Sequence, residues 1–366
     1  MTQSSDIAVE VVDLAKNYGP VRALNSVSFS IEGGRYYALL GPSGGGKTTL
    51  LRLIGGFLRP SAGSVYLHGQ DVSHLPPDRR PTSMVFQNYA LFPHMTVERN
   101  VAYGLKLLKA PPGEIRDKVE RMLGMVGLEG YNRRMPHELS GGQQQRVQLA
   151  RSLVLERDIL LLDEPLASLD AKLRKDMCLE LKRIQEKVGI TFIHVTHNQE
   201  EALTVADRIA IIADGELVEE GTARDIYETP RMRFTAEFIG DNNVLDGVVA
   251  DISDGRATVD LGFARVDVAA HGLPAARGDA VALSVRSELL RIVGSGQDPE
   301  ASWQLIPATY VEAIYLGLTI SHLVRLPDGT EIVARVISGE RSEEEFEPGS
   351  EVTMGWPGDR ARLHVA

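Results

Sequence analysis

The chain has 366 residues, 43% of them hydrophobic, a formal net charge of −11 and a single cysteine, Cys178. That length predicts two to three domains with proper cores, and one cysteine excludes an internal disulfide and fits a reducing compartment. The opening MTQSSDIAVE has neither a basic nor an apolar leader segment, and runs such as Ile159 to Leu162 fall far short of the ~20 apolar residues of a membrane span, so a soluble chain is expected, held at any membrane by a partner.

In chain order, Ile7 to Leu14 and Val27 to Ile31 pattern as strands. Tyr36 to Leu40 is a short apolar strand that runs directly into the glycine-rich Gly41 to Thr48, and Thr48 to Phe57 reads as a helix burying Leu50, Leu51 and Ile54. Ser64 to Leu67 and Thr82 to Phe86 are further strands; Val97 to Leu108, Gly113 to Val126 and Gln143 to Val154 read as helices. Asp158 to Leu162 is a buried strand. Residues 170–188 form an amphipathic helix, with Leu173, Met177, Leu181, Ile184 and Val188 at helical spacing. Ile190 to Val195, Gln199 to Ala206 and Arg208 to Ile212 read as strand, helix and strand. This alternation implies a mostly parallel sheet covered by helices.

The pattern changes near residue 240. Residues 241–366 hold 20 Asp and Glu against 10 Arg and no Lys, a net of −10; residues 1–240 hold the other 30 acidic and 29 basic residues, a net of −1. Val281 to Val285, Thr319 to Leu326 and Glu331 to Val336 are strand candidates among turn signals such as Pro327-Asp328-Gly329, which reads as a small all-β barrel. Its acidic surface repels phosphate backbones, so nucleic acid is not an expected partner.

Gly41-Pro42-Ser43-Gly44-Gly45-Gly46-Lys47-Thr48 has the form of a phosphate loop in its required context, between strand and helix. Its glycines let backbone N–H groups close around phosphates, the helix start adds positive dipole, Lys47 places a charge on the β/γ oxygens, and the Thr48 hydroxyl is a Mg²⁺ ligand. Asp163 and Glu164 end an apolar strand, and carboxylates there reach the ligand crevice of an open α/β sheet. Ser140, Gly141 and Gly142 begin a helix, a second anion site. Since the phosphate loop already fills one phosphate site, the second makes sense if it completes a site in another copy.

A phosphate loop, then Leu139-Ser140-Gly141-Gly142-Gln143, then Leu160-Leu161-Leu162-Asp163-Glu164, in that order, resembles the ATP-binding cassette (ABC) ATPases over roughly residues 1–240. The resemblance implies an α/β P-loop NTPase fold with an antiparallel β subdomain and a helical subdomain at about 92–157, followed by an OB-like β domain at 241–366. It implies ATP and Mg²⁺ as ligands, with Thr48, Gln87 and Asp163 around the metal, Glu164 as general base, His197 as the switch histidine, Lys47 on the phosphates, Thr49 with the nucleotide-binding loop, and Tyr18 stacked on adenine. It implies a homodimer in which Ser140, Gly141, Gly142 and Gln143 cover the partner's nucleotide and Asp170, in Ser168-Leu169-Asp170, lies at the crossing loop. His194, alternating with Ile193 and Val195, is expected to be only a strand residue.

Gln87 to Val97 looks like importer ATPases that carry an extra C-terminal domain, and Tyr89, Phe92 and Met95 are expected to expose a docking surface for two permease subunits. Leu75 to Pro81 and Phe238 to Gly247 look most like polyamine (spermidine/putrescine) importers, with ferric iron, sulfate and sugar importers sharing most motifs. The expected setting is peripheral, on the cytoplasmic face of the plasma membrane, with an extracytoplasmic solute-binding protein delivering cargo. A soluble DNA-repair or translation ATPase would bring long coiled coils or a second cassette, and a GTPase an Asn-Lys-x-Asp motif; the chain has none of these.

Overall fold

The computed structural model describes residues 7–88, 90–270, 275–293, 302–339 and 346–365. The chain divides into two compact units, Met1–Arg224 and Asp225–Ala366.

The first unit begins with a long antiparallel pair, β1 (Ile7–Tyr18) and β2 (Val21–Glu32), followed by β3 (Tyr36–Leu40) and α1 (Lys47–Ile54). Then come β4 (Ala62–Leu67), β5 (Gln70–Asp71), β6 (Thr82–Val85), α2 (Val97–Leu107), α3 (Pro112–Met125), α4 (Gly141–Leu153) and β7 (Ile159–Asp163). It closes with α5 (Ala171–Val188), β8 (Thr191–Thr196), α6 (Gln199–Val205), β9 (Arg208–Ala213) and β10 (Glu216–Gly221).

Two sheets organise this unit. The antiparallel one has the order β2-β1-β4-β5, and the six-stranded one the order β10-β9-β3-β8-β7-β6. In the latter β6, β7, β8, β3 and β9 run parallel, and only β10 is antiparallel. Strands β3, β7 and β8 are buried at every residue, as parallel strands covered on both faces must be. Helix α1 buries Leu50, Leu51, Leu53 and Ile54 in the core shared by the two sheets, each worth ~1.5–3 kcal/mol against exposure. Helices α2, α3 and α4 form a second core with α5, where Met177, Leu181 and Ile184 are buried and Leu173 and Val188 pack at its edge.

The second unit contains α8 (Arg233–Phe238), preceded by α7 (Ala223–Glu228), and the strands β11 (Asn242–Ser253), β12 (Arg256–Asp260), β13 (Arg265–Ala269), β14 (Ala280–Arg286), β15 (Arg291–Val293), β16 (Trp303–Tyr315), β17 (Thr319–Arg325), β18 (Glu331–Ile337), β19 (Glu351–Pro357) and β20 (Arg362–Val365). They make two five-stranded antiparallel sheets, β13-β12-β11-β14-β20 and β15-β19-β16-β17-β18, which share one core that includes Leu245, Leu283, Ile306, Met354 and the fully buried Trp356. The boundary lies ahead of the change in composition near 240. The cause is local: Arg286, a buried side chain, donates to the Tyr227 and Ile239 carbonyls and stacks its guanidinium on the Tyr227 ring, fastening residues 227–239 to this β unit.

Candidate active site

Strands β3, β8, β7 and β6 are consecutive parallel neighbours, so their C-terminal ends open on one edge of the sheet. Each is followed by a segment singled out in the sequence: Gly41 to Thr48 after β3, His197 after β8, Asp163 and Glu164 at the end of β7, Gln87 after β6. Topology alone therefore gathers residues spread from 41 to 197.

Within the loop Gly41, Gly44 and Gly46 have positive φ values of 154°, 82° and 102°, backbone that side chains rarely adopt. A Cβ on Gly41 would lie 2.0 Å from the Ile212 carbonyl oxygen, one on Gly45 2.8 Å from the same oxygen, and one on Gly46 2.5 Å from the Ala23 oxygen. Pro42 and Ser43 complete the turn. Gly46 is the N-cap of α1 and makes no side-chain cap, so the first N–H groups of α1 stay open to an anion. Lys47, buried, donates to the Gly41 and Pro42 carbonyls at 2.9 and 2.7 Å. Burial lowers its pKa, with the Glu164 charge acting in the opposite sense.

Thr48 Oγ1 donates to Asp163 Oδ1 at 2.9 Å. Asp163, 5% exposed, has its pKa raised by burial, an effect that Thr48 and the Arg52 guanidinium, 3.6 Å from Oδ2, partly oppose. Glu164 takes φ 46°, a strained value for a side chain of its size, and its N–H donates to the Val195 carbonyl at 3.0 Å. That bend turns its carboxylate into the crevice, where Gln87 Nε2 donates to Oε2 at 3.2 Å and His197 Nδ1 lies 3.3 Å from Oε1. Five sequence-flagged residues, Thr48, Gln87, Asp163, Glu164 and His197, thus form one polar cluster beside Lys47. Tyr18 presents a half-exposed ring, with the Lys16 ammonium 5.2 Å from its centroid. Thr49 lies half-buried in the first turn of α1.

The other flagged group caps helices. Ser140 is the N-cap of α4: its hydroxyl accepts the Gln143 N–H at 3.4 Å, and Gln143 Oε1 accepts the Ser140 N–H at 3.0 Å. Gly141 and Gly142 form the first turn, where a Cβ on Gly142 would meet Leu173 at 3.2 Å. Asp170 caps α5 by accepting the Leu173 N–H at 3.0 Å. His194 is fully buried, with Nδ1 3.0 Å from the Tyr36 hydroxyl; burial lowers its pKa to about 3, so it is a neutral strand residue, as expected.

Three supporting residues went unmarked in the sequence. Arg52 follows Thr48 by one helical turn, a spacing that puts both on one face of α1. Arg80, 1% exposed, donates to the Leu53 and Ile54 carbonyls at 2.7 and 2.8 Å and so closes the C-terminal end of α1. Gln148 on α4 donates to the Phe86 and Asn88 carbonyls at 2.9 and 3.3 Å, gripping the Gln87 turn from both sides.

The expected docking loop is more tightly held than its apolar residues suggest. Tyr89 lies outside the described residues. Phe92 and Met95 are half-buried, not displayed: Asn100 binds the backbone of Phe92, Met95 and Thr96, and the Phe92 ring packs on Tyr103 at 4.6 Å under the Arg151 guanidinium at 4.3 Å. The apolar surface lies beside this loop, in a groove of about 360 Å³ lined by Phe57, Met84, Phe86, Leu155 and Arg151 among others. Phe57 and Phe86 are 44% and 38% exposed there.

The family model for ABC transporters matches residues 24–167, and that for the TOBE domain residues 283–363. The chain is 45% identical over 352 residues to the spermidine/putrescine import ATP-binding protein PotA of Rubrobacter xylanophilus, covering 96% of this chain and 92% of that one. It is 46% identical over 354 residues to the protein of that name from Thermobifida fusca, covering 96% and 91%. Among solved structures it is similar to cbiO1 from Clostridium perfringens, part of the ABC transporter complex cbiONQ, with TM-score 0.57 and 31% identity over 60% of this chain and 90% of that one. It is also similar to a dimeric cassette in a post-hydrolysis state bound to ADP and Pi, with TM-score 0.53 and 33% identity over 59% of this chain and 99% of that one. The chain belongs to the ATP-binding subunits of ABC transporters, an ATPase family, and its second unit is a TOBE-type β domain.

Proposed function

We propose that the chain hydrolyses ATP to drive import of a polyamine such as spermidine or putrescine. The observation that carries the ATPase mechanism is the convergence of Gln87 and His197 on Glu164, next to Thr48 on Asp163. The cargo reading is supported by the names of relatives that match across more than nine-tenths of both chains.

The glycine cradle would fit a polyphosphate, since no side chain fits at Gly41, Gly45 or Gly46 without a clash. Thr48, Asp163 and Gln87 are the residues that would hold Mg²⁺, and so few protein oxygens suit a cation that keeps waters and phosphate oxygens as its other ligands. Mg²⁺, when bound, would neutralise charge on the β- and γ-phosphate oxygens. Lys47 would exchange its two loop carbonyls for phosphate oxygens, and Tyr18 would stack on adenine. Glu164 would accept a proton from the attacking water, with Gln87 and His197 fixing its direction. Ser140, Gly141, Gly142 and Gln143 would bind the γ-phosphate held by a second copy: the Ser140 cap bond is long at 3.4 Å and readily exchanged. Asp170 would stand at that interface.

Two permease subunits would dock through the groove at Phe57 and Phe86, next to the Phe92 and Met95 loop, so that closure of the dimer changes permease access. The chain would lie peripherally on the cytoplasmic face of the plasma membrane, with a solute-binding protein delivering cargo outside.

Reconstitution with its permeases and binding protein tests the reading. Polyamine-loaded binding protein is expected to stimulate ATP hydrolysis and uptake. Stimulation by ferric iron, sulfate or sugar and none by polyamines would overturn the cargo, and absence of ATP hydrolysis in the assembled complex would overturn the whole.

A further inference from the structure

Behind the His197 turn the cassette pairs a buried carboxylate with a part-buried guanidinium, neither of which the mechanism above uses. Glu201, 4% exposed, accepts the Thr196 hydroxyl on Oε2 at 2.7 Å and faces Arg174 Nε at 3.5 Å through Oε1. Thr196 Oγ1 accepts the Asn198 N–H at 2.9 Å, and Asn198 Oδ1 accepts the Glu201 N–H at 3.1 Å. His197 lies between Thr196 and Asn198, so the residues on both its sides are tied to Glu201, Thr196 by its hydroxyl to the carboxylate and Asn198 by its side-chain oxygen to the Glu201 N–H. The ring itself is 52% exposed and reaches Glu164 at 3.3 Å. A side chain so little packed takes its direction from its backbone.

Arg174 extends the connection. Its Nη2 donates to the Leu169 carbonyl at 2.7 Å, in the residue before Asp170. A continuous chain of contacts therefore runs from the Asp170 loop through Arg174, Glu201 and Thr196 to His197. Burial raises the pKa of Glu201, an effect that Thr196 and Arg174 oppose. The pair is only part-buried, with the Arg174 side chain 29% exposed, and a pair of this kind adds little to stability over an apolar replacement, so fold stability is a weak reason for one here. The neighbours are not rivals for the role: His194, with Nε2 3.6 Å from Glu201, is neutral, and burial pushes the Cys178 thiol up to about 12.

We propose that Glu201 and Arg174 are positioning residues that hold His197 against Glu164 and make its placement depend on the loop bearing Asp170. The inference rests on the roles given to Glu164 and His197 above. Contact of a second copy with the Asp170 loop would move Leu169, and Arg174 and Glu201 would pass that movement to the His197 turn, tying hydrolysis to assembly.

The test is a double-mutant cycle on the full chain, with kcat, KM and nucleotide Kd measured. Glu201→Gln and Arg174→Met are each expected to lower kcat about tenfold or more, leaving nucleotide Kd within about twofold, and to lower it no further in a His197→Ala background. Thr196→Val is expected to behave like Glu201→Gln and Thr196→Ser to keep the parent kcat, which serves if Glu201→Gln does not fold. Losses that add to that of His197→Ala would reveal a merely structural role and overturn the proposal, as would an unchanged kcat in Thr196→Val. If His197→Ala alone keeps the parent rate, the catalytic reading falls and the inference with it, an outcome that this single variant distinguishes.

Discussion

His194 and His197 stand three residues apart and do opposite work. His194 is enclosed against Tyr36, with its pKa lowered to about 3; His197 is exposed and faces Glu164. The first has a consequence for stability. Its folded pKa lies below the unfolded value near 6.5, so between about pH 3 and 6.5 the unfolded chain binds a proton that the folded chain refuses. Stability from this residue is therefore complete above about pH 6.5 and falls as the pH drops, by up to ~1.4 kcal/mol per unit. Denaturant unfolding at pH 7 and pH 5 is expected to show this loss in the parent chain and a smaller one in His194→Gln; equal losses would mean that His194 is protonated when folded. Strand alternation made this residue legible. Arg52, Arg80 and Gln148 were not legible in the same way, because their partners are a carboxylate or carbonyls brought near only by folding.

Among elements, those with a long regular period were read best. Helix α5 runs over Ala171–Val188, as its apolar spacing predicts, and the strands feeding the site fall within a residue or two of expectation. The phosphate loop was legible because glycine is required by geometry there. Gly41→Ala would set a methyl 2.0 Å from the Ile212 carbonyl oxygen on β9, at φ 154°. The strand cannot yield without disturbing its pairing to β3. The variant is expected to lose ~1–3 kcal/mol of stability and to bind nucleotide more weakly; unfolding and nucleotide titration that both match the parent would contradict the assigned packing. Apolar residues in a loop suggest a surface awaiting a partner, yet Asn100, Tyr103 and Arg151 supply Phe92 with partners inside its own subdomain. No local pattern announces a side chain on α2 that binds a loop's backbone.

At the scale of the molecule, composition marked the β unit but placed its edge late. The excess negative charge begins near 240, whereas the fold recruits residues from Asp225 onward through long-range side-chain bonds, Arg286 to the Tyr227 and Ile239 carbonyls, Arg362 to the Glu228 carbonyl and Tyr227 to Glu288 among them, whose reach spacing does not reveal. The larger consequence concerns the cassette. It gathers Lys47, Thr48, Gln87, Asp163, Glu164 and His197 at one sheet edge, and leaves the start of α4, capped by Ser140, as a separate helix terminus that would suit an anion. Two half-sites of complementary chemistry in one chain point to two chains sharing two nucleotides. Glu164→Gln removes the carboxylate that would take the proton while keeping a group of similar shape, so ATP should bind and persist. Light scattering of this variant with ATP and Mg²⁺ is the most direct measurement: the mass is expected to be twice the 40.0 kDa of one chain and to return to one on removal of nucleotide. A species that holds ATP at saturation and still has the mass of a single chain would contradict the shared site.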